Sequence, residues 1–306
     1  MRILVLGAGG YLGGHVVERL RARPGTRVLL GGRSPAADVT ADLATVRPTD
    51  LARALAEAAP DAVVNCAGAT GGDPVQLAEV NARGTAALCA ALREAAPAAR
   101  LVHLGSAAEY GPGEPGHAVA ESAPCAPAGP YGATKLAGTV TVTTSGLGAV
   151  VLRVGNPVGA GAPPEGLPGR VAALLAGAAA EPGAELRLGD LSAYRDFVDA
   201  RDVARAAELA ATVTGPLPPV LNISGGEARS VRELVHGLAD AAGFPGRIVE
   251  ADGGSARSAN VSWQCSDITA ARRNLGWRPV HSFSSSLTDL WAAHRPARVP
   301  ERVAAP

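Results

Sequence analysis

Aromatic side chains are nearly missing from this 306-residue chain: phenylalanine, tyrosine and tryptophan together make up 3% of it, and methionine occurs once. A core of interlocking rings is therefore ruled out, and the interior must be built from small aliphatic side chains packed between tight turns. Cysteine is also scarce. Cys66, Cys89, Cys125 and Cys265 lie far apart, with no C-x-x-C pair and no histidine cluster beside them. That spacing argues against a disulfide framework or a zinc site and leaves four small buried hydrophobes. The six histidines, His103, His236 and His294 among them, show no metal spacing, so no metal is expected. Charge of one sign is absent too: Lys plus Arg and Asp plus Glu both number 28. Without a net field, neither nucleic acid nor an anionic membrane surface is an expected partner. No apolar run approaches the roughly 20 residues of a membrane span. Strand-like "RILVLGAGG" begins at residue 2 with no basic leader or signal-type segment before it, so a cytoplasmic location is expected.

Glycine and proline, by contrast, are plentiful, at 38 and 24 residues, and 47% of the chain is hydrophobic. The length suits one large domain or two intimately joined ones. Strand and helix signals alternate through the first half. "RILVL" ends in "GAGGYLGG", a helical "HVVERLRARPG" follows, and "RVLLGG" is the next strand. Gly7, Gly10 and Gly13 have the spacing of a dinucleotide-binding turn, with Gly9 adding slack. Gly7 permits the turn, the middle glycines let amides approach a pyrophosphate, and Gly13 lets the helix close on the strand. Glycines alone can be merely structural, but strand, glycines, helix and strand arrive here in the required order. Gly7, Gly9, Gly10, Tyr11, Leu12 and Gly13 are accordingly expected to hold the cofactor.

The second strand ends in "GGRS", with no acid to receive a ribose 2′-hydroxyl. Arg33 can offer a planar fork to a 2′-phosphate and Ser34 a hydroxyl, which favours NADP(H) over NAD(H); an arginine merely exposed in a loop is the alternative. "VTADL" runs through a loop that brings Asp42 and Leu43 beside the adenine, and "TDLARALAEAAP" is a helix capped at Thr49 or Asp50. "DAVVNCAG" is a buried strand whose Ala67 and Gly68 face the cofactor. Asp73 and Pro74 form an N-cap and N1 pair opening a helix to about Ala96 that carries Asn81.

"ARLVHLGS" brings Ser106 to the carboxyl end of a strand, and the next helix, "PYGATKLAGTVTV", opens on the same edge with Tyr131 and Lys135. Residues four apart share a helix face, so a tyrosine and lysine so placed can equally be surface decoration. Beside a nicotinamide they make a carbonyl-reduction site. Tyr131 exchanges a proton with the substrate oxygen, Ser106 hydrogen-bonds that oxygen, and Lys135 holds the ribose and lowers the tyrosine pKa from about 10.

With these stretches in order, and with "GSAAEYG", "LRVGNPVGAG", "RDFVDARDVA", "LNISGGEARSVRELV" and "LGWRP" after them, the chain resembles the extended short-chain dehydrogenase/reductase family. The resemblance covers nearly the whole chain and implies an α/β fold. That fold is a Rossmann-type doubly wound parallel sheet with a smaller C-terminal α+β substrate-binding lobe. It also implies a nucleotide-sugar substrate and, from relatives, a possible homodimer built on the helices around 85–95 and 134–145. Members that dehydrate hexoses carry an Asp-Glu pair where this chain has Ala107 and Ala108. C4 epimerases with a tightly held NAD usually show an acid where this chain has Arg33. "GSAAEYG" and "LGDLSAYRDFVDARDVARA" are similar to stretches of reductases of nucleoside-diphosphate 4-keto-6-deoxyhexoses. By that likeness Asn81, Ala107, Asn156 and Arg195 contact substrate, Arg195 as a fork on the diphosphate. An ion pair of Arg195 with Asp196 or Asp199 is the structural alternative. Gly155 replaces a frequent aromatic, and "SARSANVSWQCSD" replaces an Arg-Pro-type segment. Three other functions stay open: an NAD-dependent C4 epimerase, a tailoring ketoreductase acting on a secondary-metabolite aglycone, and a non-catalytic cofactor-binding regulator. The last predicts damage to Ser106, Tyr131 or Lys135, and none is damaged. Expected domain limits are 1–153 for the NADP(H)-binding domain, with 190–225 partly returning to it, 154–296 for the substrate-binding lobe, and 297–306 as a disordered tail.

Overall fold

A strand that is apolar at every position must be covered on both faces, which a parallel sheet between two helical layers provides. In the computed structural model, which describes residues 1–178, 183–251 and 261–294, β1 (Arg2–Leu6), α1 (Tyr11–Arg21), β2 (Arg27–Gly32), β3 (Val39–Thr40), α2 (Pro48–Ala58) and β4 (Ala62–Asn65) begin that arrangement. It continues through α3 (Pro74–Ala78), α4 (Thr85–Ala95), β5 (Arg100–Ser106), α5 (Pro130–Thr143) and β6 (Ala149–Val154). Seven strands pair in parallel in the order β10-β6-β5-β4-β1-β2-β3, with β10 (Val220–Ile223) added late from the chain. The strand order reverses between β1 and β4. There the loops after the two strands turn away from each other and leave a crevice for a ligand.

One face of the sheet is packed by α1 and by α7 (Ala200–Thr212), through Val16, Leu20, Val203 and Ala207. The other is covered by α2, α4 and α5 through Leu51, Leu55, Leu88, Leu92 and Val142. A third core belongs to the smaller lobe. It gathers β7 (Asn156–Val158), α6 (Leu167–Ala178), β8 (Glu185–Leu188) and β9 (Tyr194–Asp199) with β11 (Ala228–Ser230), α8 (Val231–Ala242), β12 (Arg247–Glu250) and α10 (Phe283–His294). Its strands form a three-stranded sheet, β11-β9-β7, and a two-stranded one, β12-β8. The chain passes between sheet and lobe repeatedly. Between β12 and α10 it returns as α9 (Thr269–Leu275), and Trp277 is buried there with its indole N–H donated to the Asp202 carbonyl at 2.9 Å. No helix among the described residues is long and apolar enough to cross a membrane.

Several boundaries differ from the sequence expectation, each for a local reason. The first helix starts at Tyr11, directly on the glycine turn, with Gly10 as N-cap. Helix α2 starts at Pro48 with Arg47 as N-cap, not at Thr49 or Asp50, because proline presets the first helical turn. The Asp50 carboxylate pairs with Arg47 and Arg53 instead. Val39–Thr40 is an edge strand where a loop was expected. The helix capped by Asp73 and Gln76 does not run unbroken to Ala96: residues Glu79–Gly84 form a π-helical turn between α3 and α4. The tail expected over 297–306 lies outside the described residues.

Trp277 links α9 to α7 and fills the largest single volume in the enclosed core. Its replacement by alanine is expected to lower stability by about 3–5 kcal/mol. Urea unfolding would show this as a lower midpoint at unchanged slope; a loss of less than about 1 kcal/mol would mean the site collapses around the gap.

Candidate active site

The turn after β1 is shaped by backbone, not by side chains. Gly7 has φ of +76°, and a Cβ on Gly13 would lie 2.0 Å from the Gly7 carbonyl oxygen. Only glycine at 13 lets α1 rest on the strand end at that distance. A Cβ on Gly7 would in turn sit 2.7 Å from Ala67 N, so the first and fourth strand ends are in direct backbone contact at the reversal point. The N-terminus of α1 has no side-chain cap and no acidic residue in its first turn. Its amides and partial positive charge therefore remain available to an anion, and Gly9 stands open with nothing among the described residues near its missing side chain. This cradle fits a dinucleotide pyrophosphate. Leu12 is half-buried against the sheet core, and Tyr11 turns toward the lobe, its hydroxyl 3.4 Å from the Gly159 carbonyl. Burial raises its pKa.

At the end of β2, Arg33 and Ser34 are exposed. Arg33 makes no side-chain hydrogen bond or ion pair among the described residues, and the nearby Asp38 carboxylate already accepts the Leu30 amide at 2.8 Å. Asp42 closes an Asx turn on Ala44 N, while Leu43 is buried with its carbonyl accepting from Arg83.

The register of the parallel ladder brings the remaining groups to one edge. Ser106 ends β5 opposite Val154 of β6, and Asn156 follows two residues later. Ser106 Oγ accepts from Ala108 N at 3.2 Å and lies against the Tyr131 phenol. Lys135, 5% exposed, donates from Nζ to the Leu104 carbonyl at 2.5 Å, and its ammonium is 3.7 Å from where a Cβ on Gly68 would sit. The three expected groups thus converge, with Gly68 beside them. Asn81 also comes here, but its amide is committed. It donates to the Ala69 carbonyl and Thr134 Oγ1 and accepts from Ala69 N, so in this structure it ties the β4 loop to α5. Ala107 is buried in the short turn after Ser106.

The electrostatics correct one expectation. Burial pushes the Tyr131 phenol above its ordinary value; the Ser106 hydroxyl offsets this, and the Glu109 carboxylate adds to it. Lys135 is engaged on Leu104 and does not lower the tyrosine in this state. Burial instead brings the lysine itself down from 10.5 to about 8, against the pull of Glu109.

Arg195 on β9 is 8% exposed, and its guanidinium donates to the Tyr194 carbonyl at 2.7 Å. Neither aspartate suggested as its ion partner takes that part. Asp196 accepts the amides of Gly226 and Ser266, and Asp199 receives Arg201 and the Ser286 hydroxyl. Burial, with no carboxylate beside it among the described residues, destabilises the cation and lowers its pKa. Asn156 donates to Gln264 Oε1 at 3.1 Å, a neighbour the sequence reading did not single out. It also missed Glu109, enclosed three residues after Ser106, although the Ser-x-x-Glu spacing of a capping box was there to be seen.

A family model described as the NAD dependent epimerase/dehydratase family matches residues 3–224. The chain is 38% identical over 309 residues to a dTDP-6-deoxy-L-talose 4-dehydrogenase (NAD(P)(+)) of Kitasatospora kifunensis, covering 97% of each. It is 28% identical over 305 residues, 94% of each chain, to a GDP-6-deoxy-D-mannose reductase of Pseudomonas aeruginosa. Among solved structures, RMD from Pseudomonas aeruginosa complexed with NADPH superposes with a TM-score of 0.82 at 25% identity, covering 96% of this chain and 98% of that one.

Lys135→Met removes a cation whose burial folding opposes. Because the folded state holds the proton less tightly than the unfolded chain, the penalty is fully present below about pH 8 and fades as pH rises toward 10.5. The variant is expected to be more stable than the parent by about 1–3 kcal/mol at neutral pH, and by less at pH 10, in denaturant unfolding. A variant less stable at both pH values would contradict the assignment.

Proposed function

We propose that this chain, which belongs to the NAD dependent epimerase/dehydratase family, uses NADPH to reduce the 4-keto group of a nucleoside-diphosphate 4-keto-6-deoxyhexose. That the chain is a nicotinamide-dependent enzyme acting on nucleotide sugars agrees with both relatives. The observation that carries the reading is the contact of Ser106 with a Tyr131 phenol whose proton burial favours, at the strand end where Lys135 is also enclosed. A protonated phenol is a donor, and ketone reduction consumes one proton at oxygen for each hydride received at carbon.

A bound nicotinamide supplies the hydride. The Gly9 amide and the start of α1 at Tyr11, Leu12 and Gly13 would hold its pyrophosphate, while Gly10, whose amide donates to the Gly7 carbonyl, shapes the turn. Arg33 and Ser34 would receive the 2′-phosphate, and Lys135 would hold the nicotinamide ribose. Ser106 and Tyr131 bind the ketone oxygen together, and Tyr131 gives it the proton. Leu43, Asp42, Ala67 and Gly68 line the cofactor's path across the sheet edge. Arg195 and Asn156 hold the substrate's diphosphate, which supplies the anion the buried guanidinium lacks among the described residues. Ala107 and Asn81 shape the floor beneath the sugar, and the lobe closes over it.

The 38% identity to a dTDP-sugar enzyme favours thymidine as the base and a talose-type alcohol as the product class. Two copies pair through the small exposed residues Ala86 and Ala90 of α4 and Ala133, Ala137 and Val140 of α5, a face that lets helices approach closely.

Purified protein is expected to oxidise NADPH when given a dTDP-linked 4-keto-6-deoxyhexose, and more slowly with the GDP-linked one. Tyr131→Phe should lower kcat by about 10²–10⁴-fold. Turnover of UDP-glucose to UDP-galactose without net NADPH consumption would replace this reading with epimerisation. Cofactor binding without turnover of any sugar nucleotide would point to an aglycone ketone.

Arg33→Asp exchanges a phosphate ligand for a ribose ligand. It is expected to raise KM for NADPH at least about tenfold, a loss of about 1.4 kcal/mol, and to leave KM for NADH equal or lower. Equal KM changes for both cofactors would remove Arg33 from the 2′-phosphate site.

A further inference from the structure

Beneath Ser106 lies an ion pair that the proposed reaction does not use. Glu109 is 0% exposed and Arg153 5% exposed, and they meet at 2.8 Å through Oε2 and Nε. The other carboxylate oxygen, Oε1, accepts the backbone amide of Ser106 itself at 2.8 Å. Arg153 is fixed from behind. Its guanidinium lies over the Tyr110 ring, 4.5 Å from the centroid, and the Tyr110 hydroxyl donates to Asn222 Oδ1 at 2.8 Å. Room for the carboxylate comes from Gly105, where a Cβ would stand 2.7 Å from Oε1.

Stability does not account for this arrangement. Desolvating two charges costs about what their attraction returns, and a well-packed apolar pair of similar size is commonly as stable. What an apolar pair cannot do is hold the Ser106 amide or place a negative charge behind the site.

We propose that Glu109 is a positioning residue of the active site: one oxygen fixes the backbone that presents Ser106, and Arg153 clamps its charge behind the site of Tyr131 and Lys135. The proposal rests on the reading of Ser106, Tyr131 and Lys135 as the reacting groups. The charges facing each group give the sign. Tyr131 is faced by the Ser106 hydroxyl and Glu109; Glu109 raises its pKa. Lys135 is faced by Glu109 and Cys66, with His103 behind it, and Glu109 again favours the protonated form. Glu109 itself is faced by Arg153, and Cys125 lies near both. Neutralising Glu109 removes the anion that faces Tyr131, which drives Tyr131 toward easier loss of its proton.

The test is Glu109→Gln, which keeps the shape and an acceptor for the Ser106 amide but not the charge. Tyrosinate absorbance in the near ultraviolet, taken as the difference between each protein and its Tyr131→Phe counterpart, reads Tyr131 among the four tyrosines without any substrate. Tyr131 is expected to ionise about one pH unit lower in Glu109→Gln than in the parent. The alkaline limb of kcat for ketone reduction should move down by the same amount. Glu208→Gln, which removes a buried carboxylate paired with the exposed Arg19 and Arg23 on the far side of the sheet, should leave the Tyr131 titration in place. Should Glu109→Gln not fold, the double change Glu109→Gln with Arg153→Gln leaves no lone buried charge, and because Glu109 and not Arg153 faces Tyr131 it is expected to shift the titration in the same direction by a smaller amount. A folded variant whose Tyr131 titrates where the parent's does, or a Glu208→Gln shift of equal size, would overturn the proposal. A shifted titration with no turnover of any sugar nucleotide would support the role of Glu109 and count against the proposed substrate.

Discussion

The contact between the Gly7 carbonyl and Gly13, too close for any side chain, is the constraint on which the cofactor side of the molecule depends. It seats α1 directly on the end of β1. That seat in turn aims the uncapped helix terminus at the crevice where the sheet reverses. Gly7 also touches Ala67, so the same turn fixes the end of β4, and through Asn81 and Thr134 the start of α5 with Tyr131 and Lys135. The helix dipole, the loop after β4 and helix α5 are thus positioned by one chain of short contacts, most of them made by backbone.

Charge on the other side of the site follows a different rule. Lys135, Glu109, Arg153, Arg195 and Asp196 are all nearly or fully enclosed. Asp196 is raised to about 6 by burial, and Lys135 is lowered to about 8. A small-residue core with few aromatics leaves little room for adjustment, so the anions are held by backbone amides, Lys135 and Arg195 by backbone carbonyls, and Glu109 and Arg153 by each other. Enclosed ions whose protonation lies near neutrality are poor contributors to stability and good instruments for moving protons.

Much of this was legible in the sequence. The glycine spacing, "PYGATK" and the strand ending in Ser106 gave the sheet edge and the groups on it, because those positions obey periodic or backbone rules that need no tertiary information. The π-helical turn at Glu79–Gly84 was not legible. It arises where Gly84 packs on Leu43, a contact distant in sequence. Asn81 bonds to Ala69 and Thr134, partners no spacing announces. The lobe's strands were hardest to see: β7 and β11 are three residues each, too short for alternation to register. Glu109 shows a different failure. Its capping-box spacing was readable, but its burial and its Arg153 partner follow only from the register of β5 and β6.

The repeated crossing of the chain between sheet and lobe has a consequence for how such proteins diverge. Strand β9 lies in the lobe and runs straight into α7 under the sheet, while β10 in the sheet is followed at once by β11 in the lobe. No single pair of cut points separates the two bodies. The lobe is therefore not a cassette that recombination can lift out and exchange, and a change of substrate must be accumulated one side chain at a time on a scaffold that stays whole.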